Sequence, residues 1–393
     1  MQPLQTAAKY RIESLDLLKG LVIVIMAIDH VRDYFHYSSY FFDPTDPALT
    51  NMPLFFTRFI TNFCAPAFSF LAGLSAFMIG QRKTPNELSI FLLKRGLWLV
   101  FVELVIMNFG WCFDITFRTV GFQVIWILGI SMIFLAVLIH LPKKAILIFS
   151  CVLIFGHNLL DNIHFNNSIL WAFLHERKAF LTTPDHVFRV GYSIIPWVAV
   201  MSLGYCIGSC YDKTFDPLKR KKLFNIIGIT AIVFFIVLRS INIYGDLLSW
   251  KDYGNVKQNI FSFFNLTKYP PSLSFLLVTL GGAFLFLANS EKIKGKVVNF
   301  FCVFGRVPFF FYIIHIYLIH FLALLTAEFT GFGWQTMILP ALPFRVEALK
   351  GFGFNLIAVY LIWIAVIALL YPLCKKFDSY KQNHKEKWWL SYL

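Results

Sequence analysis

Residues 11–36 read RIESLDLLKGLVIVIMAIDHVRDYFH, and the reading of this stretch decides the fold class. At about 1.5 Å per residue, the apolar segment from 15 to 36 is long enough to cross the roughly 30 Å hydrocarbon core of a bilayer as one helix. It carries Lys19, Asp29, His30, Arg32, Asp33 and His36 and lacks a small-residue cleavage site. It therefore reads as a retained span, and no cleavable signal peptide is expected.

The rest of the chain repeats this pattern. Of 393 residues, 58% are hydrophobic and 14% charged, against roughly a quarter charged in soluble domains. Lipid solvates apolar side chains, so a bilayer removes the need for a polar surface. Further apolar spans are expected near 54–80, 90–113, 119–140, 144–160, 192–210, 223–245, 272–289, 304–327 and 354–374. The fold class is all-α, a polytopic transmembrane helix bundle of about ten spans forming one membrane-embedded domain, residues 1–393. The connections 161–191, 246–271 and 328–353 are long. No internal repeat is visible. Small residues at packing spacing (Ser69 with Gly73, Ala72 with Ala76, Gly204 with Gly208) suit close helix contacts.

The net charge of +14 would suit nucleic acid if the basic residues formed a patch. They lie instead in short loops between spans, as topology signals do, so no nucleic-acid partner is expected. Most of the 35 lysines and arginines fall on one side. These include Lys9 and Arg11, Arg82, Lys83, Lys94 and Arg95, Lys219 to Lys222, and the tail from Lys375 to Lys387. Fewer, among them Arg118, Arg177, Arg189, Lys268 and Arg345, fall on the other. The bias places both termini in the cytoplasm and the long loops outside, in a multi-pass protein of the cell's inner (plasma) membrane.

The seven cysteines form no CxxC pair, which supports neither a zinc site nor a disulfide framework. Cys206 and Cys210 share a helix face and read as small apolar residues. His157, His164, His175 and His186 match no metal-ligand spacing. They read as surface residues, and no metal is expected. There is no phosphate-binding loop and no dinucleotide fingerprint.

Ionisable groups inside spans are costly and mark functional candidates. Lys19 and His30 are eleven residues apart, three helical turns plus roughly 20°, so they share a face about 16 Å apart along the axis. Asp33 lies one turn beyond His30 on that face, within hydrogen-bonding reach, and Asp16 lies near the same stripe. A cation near the cytosol can hold an anionic donor, and a histidine beside a carboxylate can act as general base or nucleophile. A polar bundle core with satisfied hydrogen bonds would give the same pattern. Arg32 and His36 are expected to reach the outer interface. Arg58 opens the second span from the outside and is placed to pair with Asp33 or Asp29. Glu103, Asn108, Arg239, Asn242 and Arg306 fall at matching depths. Tyr312 and His315 lie one turn apart near mid-membrane, whereas His315 and His320 point about 140° apart and cannot line one site.

The opening stretch resembles the first helix of membrane acyltransferases of the O-acetylase superfamily, in which an arginine precedes a histidine by eleven positions. Lys19 stands here in place of that arginine, without its bidentate fork. TRFITNFCAPAFSFLAG (57–73), YSIIPWVAVMSLGYCIG (192–208), KYPPSLSFLLVTLGG (268–282) and FGRVPFFFYIIHIYLIH (304–320) are similar to the heparan-alpha-glucosaminide N-acetyltransferase-like membrane proteins. The resemblance implies an acyl-CoA-dependent acyltransferase. Acetyl-CoA would enter from the cytosol as co-substrate, and an acetyl or short acyl group would pass to an amine or hydroxyl of a sugar or glycan on the far side. His30 would be base or transient acyl carrier, with Asp33 or Asp29 setting its tautomer. Lys19, Arg306, Lys94 and Arg95 would form a basic rim for the donor phosphates, and Arg58, Tyr312 and His315 would face the acceptor. An oligomer is compatible with this reading. The alternative is a transporter or flippase for a polar or lipid-linked sugar, with Asp29, His30 and Asp33 as a proton relay. Such proteins often show repeat symmetry, which is not visible here.

Overall fold

The long apolar stretches fold as helices, because helices satisfy their own backbone hydrogen bonds where lipid offers no partners. The computed structural model describes residues 12–340 and 346–391. Lys9, Arg11 and Arg345, which entered the charge distribution, lie outside them. In chain order the α-helices are α1 (Glu13–Phe35), α2 (Met52–Thr61), α3 (Cys64–Gly80), α4 (Pro85–Phe101), α5 (Asn108–Cys112), α6 (Val124–Leu138), α7 (Lys143–Gly156), α8 (Ile169–Leu174), α9 (Ile194–Ile207), α10 (Pro217–Ile241), α11 (Val256–Phe264), α12 (Leu273–Ser290), α13 (Lys296–Arg306), α14 (Pro308–Phe329) and α15 (Leu356–Asn383).

Among the described residues, seven helices are long and apolar enough to cross a membrane. The other three expected spans are also helical. The first is α1, with its charged groups. The second is the α4–α5 pair, joined through a π-helical segment, Val102–Met107. The third is α6, at 15 residues a shorter apolar helix. The span expected from 119 begins instead as a strand. Thr119–Phe122 (β1) pairs in parallel with His186–Val190 (β3), which pairs antiparallel with Lys178–Thr183 (β2). β-Branched and aromatic residues favour this pleated surface, and Phe180 stacks on Phe188 across it at 4.8 Å. The long connection 161–191 is thus a folded cap rather than an open loop.

Helix α1 sits at the centre. It packs against α2, α3, α12, α13, α14 and α15, so its polar groups face protein and not lipid, where they would be most costly. The apolar window of α12 is 78% buried and that of α10 only 22%, which puts α10 at the lipid-facing edge. The start of α1 lies against the end of α13, with Cys302 Sγ 3.8 Å from the Glu13 carbonyl. Arg306 at that end meets Asp378 in the last turns of α15 at 2.6 Å. Both ends of the described chain therefore lie on one face, as the charge bias requires. The seven cysteines are unpaired, and six are buried, as expected of small apolar residues.

The small-residue expectation is met where α3 crosses α9. A Cβ built on Gly73 would lie 1.8 Å from the Met201 carbonyl oxygen, and one on Gly204 would lie 2.0 Å from that of Phe70. Backbone cannot retreat from such a clash as a flexible side chain can. Gly204→Val should therefore lower stability by about 3 kcal/mol or more, read as a fall in unfolding temperature in detergent. Gly156→Ala, where a Cβ meets nothing within 4 Å, should leave it unchanged.

Candidate active site

A cavity of about 1660 Å³ runs along α1 between the two faces of the bundle. At the face carrying the termini it is lined by Lys19, Arg82, Lys83, Arg95, Arg306, Lys381, Lys385 and Lys387, with Asp16 and Asp378 among them. At the opposite mouth it is lined by Asp43, Arg58, Arg177, Arg189, Lys268 and Tyr269. Between the mouths lie Asp29, His30, Trp111 and Tyr312. Arg177 and Lys268 sit over the Tyr269 ring at 4.7 and 5.4 Å. Burial would push the Tyr269 phenol up, but Lys268, Arg58 and Arg177 pull it below its ordinary value.

His30 is held by aromatic rings. Trp111 lies edge-on at 4.8 Å between centroids, His315 at 5.2 Å and Tyr312 at 6.4 Å. Neither ring nitrogen of His30 has a hydrogen-bond partner among the described residues. His315 Nδ1 lies 2.9 Å from the Phe311 carbonyl, one turn back in its own helix. A carbonyl only accepts, so this contact makes Nδ1 the protonated nitrogen. His315 Nε2 then carries the lone pair, and it too has no partner among the described residues. A buried polar atom with no partner is costly. His30 lines the cavity and suits a group that bonds to a substrate, whereas His315, expected to face the acceptor, is fully buried behind it and does not line the cavity, because its ring packs against Phe311 and His30.

The expected hydrogen bond from Asp33 to His30 is not made. Asp33 Oδ1 takes the Arg32 guanidinium at 2.8 Å. Asp29 is clamped by Arg32 at 2.7 Å, by Arg58 at 2.9 Å and by Thr61 Oγ1 at 3.0 Å. Helical spacing puts Asp33 on the same face as His30, but a buried guanidinium between two carboxylates is a stronger partner for either than a neutral ring. Arg58 thus takes Asp29, one of its two expected partners. Arg32 and His36, expected at the outer interface, are instead 3% and 2% exposed. The reason is that Arg32 folds back onto the carboxylates and His36 Nδ1 accepts the Ser38 backbone N–H.

Lys19 lines the cavity and donates to Ser75 Oγ at 3.0 Å. Arg95 and Arg306 line it too, but Lys94 is exposed and outside it. The neighbouring position Arg95 points inward because successive helical residues turn by about 100°. His320 is buried against Phe113 at 4.0 Å with its nitrogens at the Gly110 and Met337 carbonyls. It is a packing residue, away from His315, as their angular separation requires.

Other intramembrane polar groups are scaffolding. Glu103 Oε2 accepts the backbone N–H groups of Ile125 and Trp126 at 2.8 and 3.0 Å, capping the first turn of α6 from a neighbouring helix. Asn108 Nδ2 donates to the Glu103 carbonyl, which also accepts the Asn108 backbone N–H at the end of the π-helical segment, and to the Gly121 carbonyl. Arg239 donates to the carbonyls of Leu248, Ser262, Phe263 and Asn265, and Asn242 pairs with Trp250. Together they tie the 246–271 connection down. Glu103→Ala should cost about 1–3 kcal/mol by stranding those two amides, measurable by thermal unfolding.

The sequence reading missed Trp111 and most of the outer mouth. Trp111 ends the third expected span, where an interfacial role explains a tryptophan equally well. Arg177, Arg189 and Tyr269 reach the cavity only because the β-sheet and the 265–272 turn fold over it.

Fold and site together define a polytopic helix-bundle membrane protein with a buried imidazole, His30, on the wall of a cavity lined by residues of both faces. Residues 11–244, more than half of the chain, match the family described as heparan-alpha-glucosaminide N-acetyltransferase, catalytic. The chain belongs to that family, which is one of acetyltransferases. A comparison with curated proteins finds no match.

Proposed function

We propose that the protein transfers an acetyl or short acyl group from cytosolic acyl-CoA to an amine or hydroxyl of a sugar or glycan entering from the opposite face, with His30 as general base. The observation that carries this is one continuous cavity with His30 between its two mouths, neither imidazole nitrogen having a hydrogen-bond partner among the described residues. The acceptor N–H or O–H gives its proton to His30 as its heteroatom attacks the thioester carbonyl. The C–S bond then breaks, and the departing CoA thiolate takes up that proton from the His30 imidazolium, which returns the base to its neutral form. A continuous cavity lets donor and acceptor meet, so a covalent acyl-histidine carrier is not required. The neighbouring His315 Nε2 is an acceptor that can share the proton. The cations of the inner mouth suit the phosphates of CoA, with Lys19, Arg306 and Arg95 in the role proposed for them. Arg58, Tyr312 and the outer-mouth cations would orient the acceptor.

The transport reading needs a carboxylate–imidazole relay. Asp29 and Asp33 bond to arginines and not to His30, which favours transfer.

Purified protein in nanodiscs should release CoA thiol from acetyl-labelled acetyl-CoA and pass label to an amino-sugar or glycan acceptor, with none retained after denaturation. Label retained on wild type and absent from His30→Ala would replace direct transfer by the carrier route. No thiol release and no acetyl-CoA binding, together with uptake of a sugar into proteoliposomes, would establish transport.

A further inference from the structure

The four histidines of the 157–186 region divide in two. His164 and His186 are exposed, as expected of surface residues. His157 and His175 are each 2% exposed, contrary to that expectation. Eighteen positions separate them in sequence, so no local spacing signals the pair. They meet because the chain folds back through α8, whose end is capped by His175.

Between them lies Asp161, its side chain 8% exposed. One ligand atom from each of the three lies within 4.8 Å of the others. Asp161 Oδ1 is 3.0 Å from His175 Nε2. Neither nitrogen of His157 has a hydrogen-bond partner among the described residues, nor has His175 Nδ1. A buried imidazole with both nitrogens unbonded calls for an explanation. The carboxylate is also held from behind. Asn158 Nδ2 donates to Asp161 Oδ2 at 2.7 Å, and Asn158 Oδ1 accepts the backbone N–H of Leu273 at 2.8 Å. An oriented carboxylate anchored to the first turn of α12 is the outer support that metal ligands ordinarily have.

We propose that His157, Asp161 and His175 bind a zinc ion, with water in the fourth position. Two imidazoles and one carboxylate select a borderline transition metal over calcium or magnesium, which take oxygen ligands. At zinc's bond lengths of about 2.0–2.2 Å the ligand atoms would sit roughly 3.3 Å apart, a closure within reach of side-chain rotation. None of the three lines the large cavity, so the site is distinct from the one around His30. Its role is to clip the 157–175 segment. That segment leads within two residues to Arg177, which lies over Tyr269 at the outer mouth, so the ion would fix one wall of that mouth.

The test uses full-length protein stripped with chelator, re-exposed to zinc chloride, freed of excess metal and analysed for metal content. About one zinc per chain should be retained, with a higher unfolding temperature than the stripped protein. Cobalt(II) in place of zinc should give visible absorption of a four-coordinate centre. His157→Ala and Asp161→Asn should lose the ion, whereas His164→Ala and His186→Ala should keep it. Stripped wild type that retains no zinc, or whose unfolding temperature zinc does not raise, overturns the proposal. So does retention of a full equivalent by folded His157→Ala. If the variants fail to fold, the stripping and cobalt measurements on wild type decide the matter alone.

Discussion

His30→Ala should lower CoA thiol release by about 10²–10⁴-fold, the range that a positioned general base supplies. The ring packs against Trp111 and His315 but makes no hydrogen bond that holds the fold. Its loss should therefore fall on turnover and leave acetyl-CoA affinity nearly unchanged, since a base acts in the transition state more than on donor binding. Free imidazole should restore part of the rate to the alanine variant by occupying the vacated space. Full activity in His30→Ala would remove His30 from the chemistry. A variant with normal turnover but weakened donor binding would make it a binding residue. His164→Ala, on an exposed loop side chain, should match wild type.

Asp29→Ala should be the most destabilising single change near the site, costing about 3–5 kcal/mol. Asp29 holds both Arg32 and Arg58, and their side chains are 4% and 14% exposed. Arg32 keeps Asp33 as a second partner, but Arg58 would be left with the Thr61 hydroxyl. A cation without its counter-ion in a low-dielectric interior is the expensive state, more so than the loss of both members. The double variant Asp29→Ala with Arg58→Met should therefore recover much of the lost unfolding temperature. Equal instability of the single and double variants would mean that Asp29 acts through packing and not through charge.

The all-α class and the polar face of α1 were legible from the chain because they depend on local properties. A twenty-residue apolar run must be a helix in lipid, and an eleven-residue spacing must bring Lys19 and His30 to one face. The Gly204 crossing was legible for the same reason, since small residues recur at helix-packing intervals. Lys94 and Arg95, adjacent in sequence, could not be told apart without the position of α4 relative to the cavity.

A membrane-embedded helical bundle, the family to which the chain belongs and the candidacy of His30 all follow from the order of residues. Periodicity and hydropathy carry those properties residue by residue. Which carboxylate meets which cation depends on the assembled helices, because Arg32 bonds back along its own helix to Asp29 while Arg58 arrives from another. The tertiary fold alone also set His315 beside His30 and walled the outer mouth with a small β-sheet. Folding Asp161 between His157 and His175 was likewise its work. These are contacts between elements distant in the chain, chosen by competition among partners that no local pattern records.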